Sequence, residues 1–110
     1  MPIEAGGVTL TDDQRLAWLR LFRSENVGPA TFRALINHYG SAQAALDALP
    51  DLSRRGGAPR SIRVATRQEV EDEIAAAGRI GARFVGLGEP PYPPWLRHGD
   101  APPPMIAVRG

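Results

Sequence analysis

Asn26-Val27-Gly28-Pro29-Ala30-Thr31 stands between two segments whose apolar residues recur at helical spacing, and its reading decides the fold. It reads as a tight helix-to-helix turn. Gly28 supplies backbone freedom where the chain reverses, and Asn26 is among the few non-glycine residues that tolerate positive φ. Pro29 suits the first turn of the following helix, where its missing N–H would have no intrahelical partner. Such a turn presents backbone N–H groups at the positive end of a helix dipole, a natural seat for phosphate. Asn26, Val27, Gly28, Ala30 and Thr31 are therefore candidate DNA-contacting residues of a helix-hairpin-helix element. The competing reading is a plain αα-hairpin, since a Gly-Pro turn also joins helices in bundles that bind nothing.

Upstream, Thr11 and Gln14 form a capping box that starts a helix at Asp12. Leu16, Leu19 and Phe22 give that helix an apolar face, beside Trp18, and it ends near Arg23. Trp18 belongs to the helical core or to an interface. Downstream, Phe32, Leu35, Ile36 and Tyr39 form the next helical stripe, with Gly40 as its stop and Ser41 as a new N-cap. Ala42, Ala45, Leu46 and Leu49 predict a third helix running to about Pro50. Residues 51–65 read as a flexible basic loop. Thr66 and Glu69 form a second capping box, opening a fourth helix through Val70, Ile74 and Ala77 that ends around residues 78–81.

The pattern then changes. Residues 83–87 and 105–109 read as strands, separated by a rigid connector with Pro90-Pro91-Tyr92-Pro93-Pro94 and Pro102-Pro103-Pro104. Tyr92 and Trp95 could stack on a base or pin the connector to a core. A terminal apolar strand is an edge that proteins cover, so a partner strand is expected from outside these 110 residues, from more chain or another subunit. The expected domains are a tail at 1–8, a helical domain at 9–81, and the start of a second domain at 82–110.

Composition narrows the function classes. Without cysteine the chain can form neither disulfides nor a Cys-based zinc site, and two histidines are poor material for a metal centre. No cofactor is expected. No apolar run approaches the length of a membrane span, and the N-terminus lacks the features of a signal peptide, so the expected location is cytoplasmic with no membrane partner. No Ser-His-Asp set is discernible, no residue is assigned a catalytic role, and the expectation is a non-enzyme. Net charge is only +1, yet all 13 basic residues are arginine. Arg54, Arg55, Arg60, Arg63 and Arg67 fall in a stretch without acids, and Glu69, Glu71, Asp72 and Glu73 follow at once. Arginine pairs bidentately with phosphate, which makes these five further candidate DNA contacts. Their other reading is a solvated loop that pairs with the acidic helix behind it.

Asn26-Val27-Gly28-Pro29-Ala30-Thr31, then Leu35, then His38-Tyr39-Gly40-Ser41, resembles the N-terminal helical domain of the DprA/Smf family of bacterial DNA-processing proteins. Tyr92-Pro93-Pro94-Trp95-Leu96, with Asp100, Pro102-Pro103 and Ile106-Ala107-Val108-Arg109-Gly110, is similar to that family's lead into its Rossmann-like domain. The resemblance implies a mainly α fold: a four-helix bundle like the sterile-alpha-motif (SAM) domain, then two short β-strands that begin a Rossmann-like α/β domain. It implies binding of single-stranded DNA during natural transformation, help in loading the RecA recombinase, and possible self-association. The family's main DNA pocket would lie beyond Gly110, so its residues have no counterpart here. Where the family's hairpin prefers glycine this chain has Asn26, and Pro29 removes one amide donor. The region's own share is then either an accessory DNA contact or a positioning and interaction role with no direct DNA contact.

Overall fold

The computed structural model describes residues 9–55, 63–99 and 101–109, with residues 51–55 described by backbone alone. The expected tail at 1–8 and the middle of the basic loop, including Arg60, lie outside the described residues. The order is α1 (Asp12–Arg23), α2 (Pro29–Tyr39), α3 (Ala42–Arg55), α4 (Arg67–Arg79), β1 (Ala82–Gly86), the single turn α5 (Pro94–Arg97) and β2 (Met105–Arg109). The chain is mainly helical and finishes in an antiparallel pair of strands.

Local chemistry sets most boundaries. The Thr11 side chain accepts from the Gln14 N–H while the Gln14 side chain accepts from the Thr11 N–H, so two donors at the head of α1 are satisfied reciprocally. Thr66 and Glu69 repeat the device at α4. Gly40 ends α2 in the left-handed region at φ 89°, its N–H donating to the Ile36 carbonyl at 2.7 Å. The Ser41 hydroxyl then accepts from Ala44 N–H to open α3.

α3 does not stop at Pro50; it continues to Arg55 with the proline inside it. A proline in a helix interior costs about 3 kcal/mol. Here Ala45, Leu46 and Leu49 are buried on the turns before it, and each such leucine is worth about 1.5–3 kcal/mol. That burial anchors the helix up to the proline, and the backbone continues in helical conformation past it. Residues 51–55, expected in a loop, are thus helical.

α1 is the central rod. Ala17 and Leu21 enter a core with Val27, Phe32, Ala42, Ala45, Leu46 and Leu49, between α1, α2 and α3. Leu19 enters a second core with Leu10, Ala65, Val70, Phe84 and Met105, between α1, α4 and the strands. Trp18 and Phe22 touch both, and both meet Phe32 edge to face, at 5.3 and 6.3 Å between centroids. Trp18 is therefore half-buried against both cores. The Arg23 guanidinium grips Glu73 through three bonds of 2.6–3.1 Å, tying α1 to α4.

β2 has its partner within the chain, contrary to the expected external strand. β1 and β2 pair antiparallel from Ala82↔Arg109 to Gly86↔Met105. The proline-rich connector folds back to allow this because two side chains anchor it. Glu89, only 4% exposed, accepts from the Leu10 N–H (3.0 Å), the Gly86 N–H (2.8 Å) and the Arg15 guanidinium (2.6 Å). Tyr92 is fully buried, its hydroxyl donating to the Pro103 carbonyl at 2.8 Å. Phe84 and Met105 share the core of Leu19 and Val70, so the strand pair packs directly on the helices.

Candidate nucleic-acid interface

The turn from α1 to α2 is built by short-range bonds. Ser24 N–H donates to the Leu21 carbonyl and Val27 N–H to the Ser24 carbonyl, each at 3.2 Å. Asn26 alone takes the left-handed conformation, at φ 64°. Gly28 has φ −94° and ψ −175°, extended backbone that any residue adopts, and a Cβ there would meet nothing within 4 Å. The reversal therefore rests on Asn26 and not on Gly28.

A second segment braces the turn from behind. Ser24 is buried; its hydroxyl donates to the Arg20 carbonyl at 2.8 Å and accepts from Ala65 N–H at 3.2 Å. Glu25 N–H donates to the Arg63 carbonyl at 2.9 Å, and Arg63 N–H returns to the Glu25 carboxylate at 3.3 Å. These bonds bring Arg63 beside the turn. Sequence reasoning had no handle on Ser24, because its second partner lies 41 positions away.

The candidate residues of the turn now separate. Val27 is a core side chain and its N–H is already used within the turn. Asn26, Ala30 and Thr31 are exposed. Gly28 caps α2 without any side-chain bond, and Pro29 occupies the first helical position. The uncapped start of α2, with the Thr31 hydroxyl beside it, is the part of the turn chemically suited to an anion.

Of the arginine group, Arg54 and Arg55 stand on the last turn of α3. Arg63 and Arg67 are already engaged by α4: Arg63 donates to Glu69 at 2.6 Å and Arg67 to Glu71 at 3.1 Å. The Arg63 guanidinium, helped by the Thr66 N–H, holds the Glu69 carboxyl below the usual carboxylate range. The arginine side chains in these pairs remain 62% and 65% exposed. Exposed pairs of this kind add little to stability. Arg67 also lines a cleft along α1, with Gln14, Leu16 and Arg20, away from the Arg63 brace.

Two further surfaces matter. Ala30, Thr31, Ala34, Leu35, His38 and Tyr39 line a shallow groove along α2. On the connector, Tyr92 is buried but Trp95 is 75% exposed, so of the two aromatics one pins the connector and the other does not. Among the described residues no helix is long and apolar enough to cross a membrane.

A capped helix, a turn with one left-handed residue, and a proline-led second helix make a helix-hairpin-helix geometry. The family model described as the DprA-like N-terminal HHH domain matches residues 12–76, from the first residue of α1 into the last turn of α4. No curated protein matches the chain. As the matched segment is more than half of the 110 residues and contains the whole hairpin, the chain belongs to the DprA family through its N-terminal domain.

Proposed function

We propose that this chain serves DNA processing in natural transformation, where the protein binds incoming single-stranded DNA and helps load the RecA recombinase. This region is the accessory DNA-binding or positioning domain of that activity, in the cytoplasm, and carries no catalytic step. The observation that supports the reading is the hairpin inside the matched segment, with the head of α2 open and Ala30 and Thr31 exposed. Neutralising three or four phosphates would give a slope of roughly −2 to −3 in log affinity against log salt. Non-specific affinity of this kind is about 10⁻⁴ to 10⁻⁶ M near physiological salt. Titration of the chain with a labelled oligothymidylate at two salt concentrations tests it. The absence of binding at tens of micromolar protein in low salt would remove direct DNA contact.

The groove along α2 favours a second reading, a self-association or protein-interaction domain with no direct DNA contact. Sedimentation of the chain with and without RecA separates the two, because a docking domain associates without DNA.

A further inference from the structure

We infer that the DNA backbone is met less by Arg63 and Arg67 than by a corner where the α4–β1 turn meets the end of β2, through Arg79, Arg83 and Arg109. This rests on the proposed DNA contact and moves its location.

The corner is assembled by the fold, since its residues are up to thirty positions apart in sequence. Arg79 is the last residue of α4, and Ile80 and Gly81 turn the chain into β1. Antiparallel pairing sets Arg109 opposite Ala82 and Arg83 opposite Val108, so the two arginines sit at neighbouring rungs. Because side chains alternate across a strand, they project from opposite faces of the ribbon's end. The Nε of Arg109 donates to the Ile80 carbonyl at 3.1 Å, which fastens the end of β2 to the turn. That one bond leaves the other N–H groups of the guanidinium available.

Charge pairing distinguishes this corner from Arg63 and Arg67, the two arginines of the sequence cluster whose side chains are described. Among the described residues, Arg79, Arg83 and Arg109 form no ion pair, whereas Arg15, Arg23, Arg63 and Arg67 all do. All three are exposed, as is Ile80. The acids of α4 are confined to its first half, ending at Glu73, and Glu73 is held by Arg23. Arg79 lies six positions after Glu73 on the helix, roughly 9 Å at 1.5 Å per residue. That is about one Debye length at physiological ionic strength, so the acids screen the corner little. The net charge of +1 hides a local positive field. A polyanion crossing the ribbon's end would find guanidiniums on both faces and a third at the helix terminus. Regularly spaced phosphates suit that arrangement, with Ile80 offering the one apolar contact.

The test compares three variants of the chain by fluorescence anisotropy with labelled oligothymidylate, across a salt series. R79Q/R83Q/R109Q is expected to lose at least tenfold in affinity at low salt and to flatten the salt slope by roughly 2, at about 0.7 per phosphate on a single strand. R79Q/R83Q spares the Arg109 bond to the turn, so it guards against a folding defect and is expected to lose several-fold. R63Q/R67Q is expected to change affinity less than threefold. Wild-type affinity in R79Q/R83Q, or a larger loss in R63Q/R67Q, overturns the corner while leaving DNA binding intact. An unmodified chain that fails to bind the oligonucleotide removes the DNA contact itself, and the corner with it.

Discussion

The turn joining α1 to α2 and the connector joining β1 to β2 both reverse the chain, by opposite means. In the helical turn, bonds spanning three or four residues, as in Ser24 to Leu21 and Val27 to Ser24, set the backbone path around one conformationally special residue, Asn26, and bonds to Arg63 and Ala65 brace it from behind. In the connector, the decisive bonds run between Glu89 and residues 79 and 74 positions away, from a carboxylate buried under Leu10 and Gly86. A reversal whose path is set by local bonds needs the rest of the chain only as a brace. One clamped by a buried charge stands or falls with tertiary structure, and perturbing each region should expose that asymmetry.

The largest effect is expected at Glu89. Glu89→Ala strips the Leu10 and Gly86 N–H groups of their acceptor and leaves Arg15 without its 2.6 Å partner. Removing one member of a buried ion pair costs about 3–5 kcal/mol. Urea denaturation measures the loss, and hydrogen exchange should show β1 and β2 opening while the amides of α2 and α3 stay protected. A loss near that of an exposed glutamate would erase the contrast. Gly86→Ala probes the same joint sterically. Its Cβ would lie 2.6 Å from Leu10 Cδ1 and 3.3 Å from Trp18 Cζ3. Leu10 can rotate but the indole behind it cannot easily retreat, so overpacking of about 1–3 kcal/mol is expected in the same assay.

Tyr92→Phe is next. It deletes the bond to the Pro103 carbonyl and should cost about 1 kcal/mol. It also changes the alkaline limb. Burial raises the Tyr92 pKa above its ordinary 10.0. The folded state therefore keeps its proton where the unfolded state loses it, and the associated stability is whole below about pH 10 and falls as pH rises through the folded value. The phenylalanine variant should lack that fall, which melting curves between pH 8 and 11 would reveal.

On the helical side the smaller, opposite response belongs to Asn26. At φ 64° the asparagine sits where glycine is unstrained, so Asn26→Gly should leave stability unchanged or raise it by up to about 1 kcal/mol. Asn26→Val, β-branched at positive φ, should lower it by about 1–2 kcal/mol. Equal responses to the two would show that the turn does not depend on that backbone conformation.

The same asymmetry explains what could be read from sequence. Both capping boxes, the Gly40 stop and the ends of α1 and α2 are written in residues three or four apart, and periodicity alone recovers them. The persistence of α3 through Pro50 was hidden, because the proline is a local stop signal and the helix runs past it. The pairing of β2 with β1 was hidden too, because it depends on Glu89, one acid in a proline-rich stretch whose donors are distant. At the candidate interface, sequence found the open head of α2 and the cluster of arginines but not their pairing state. The unpaired corner is invisible in sequence, since only strand register and the Arg109 bond bring its members together.

The smallest effect on stability is expected at Arg63, and there the information is electrostatic. Arg63 and Glu69 are both well exposed, so Arg63→Gln should lower the melting midpoint only slightly near neutral pH. Yet the guanidinium is the main cause that lowers the Glu69 carboxyl, and its loss should let that carboxyl titrate higher, toward its ordinary value. The sign follows from linkage: a depressed carboxyl contributes stability above its unfolded pKa and forfeits it as pH falls through the folded value, so the variant should be less sensitive to acid. Carboxyl carbon shifts in NMR, followed against pH, measure this directly. They also report on the interface. If Arg63 leaves Glu69 for a phosphate, saturating oligonucleotide should raise the Glu69 titration in the unmodified chain just as R63Q does without DNA. If the oligonucleotide binds and Glu69 does not move, the pair holds during binding and the contact lies elsewhere on the molecule, with the arginines at the end of the ribbon the first place to look.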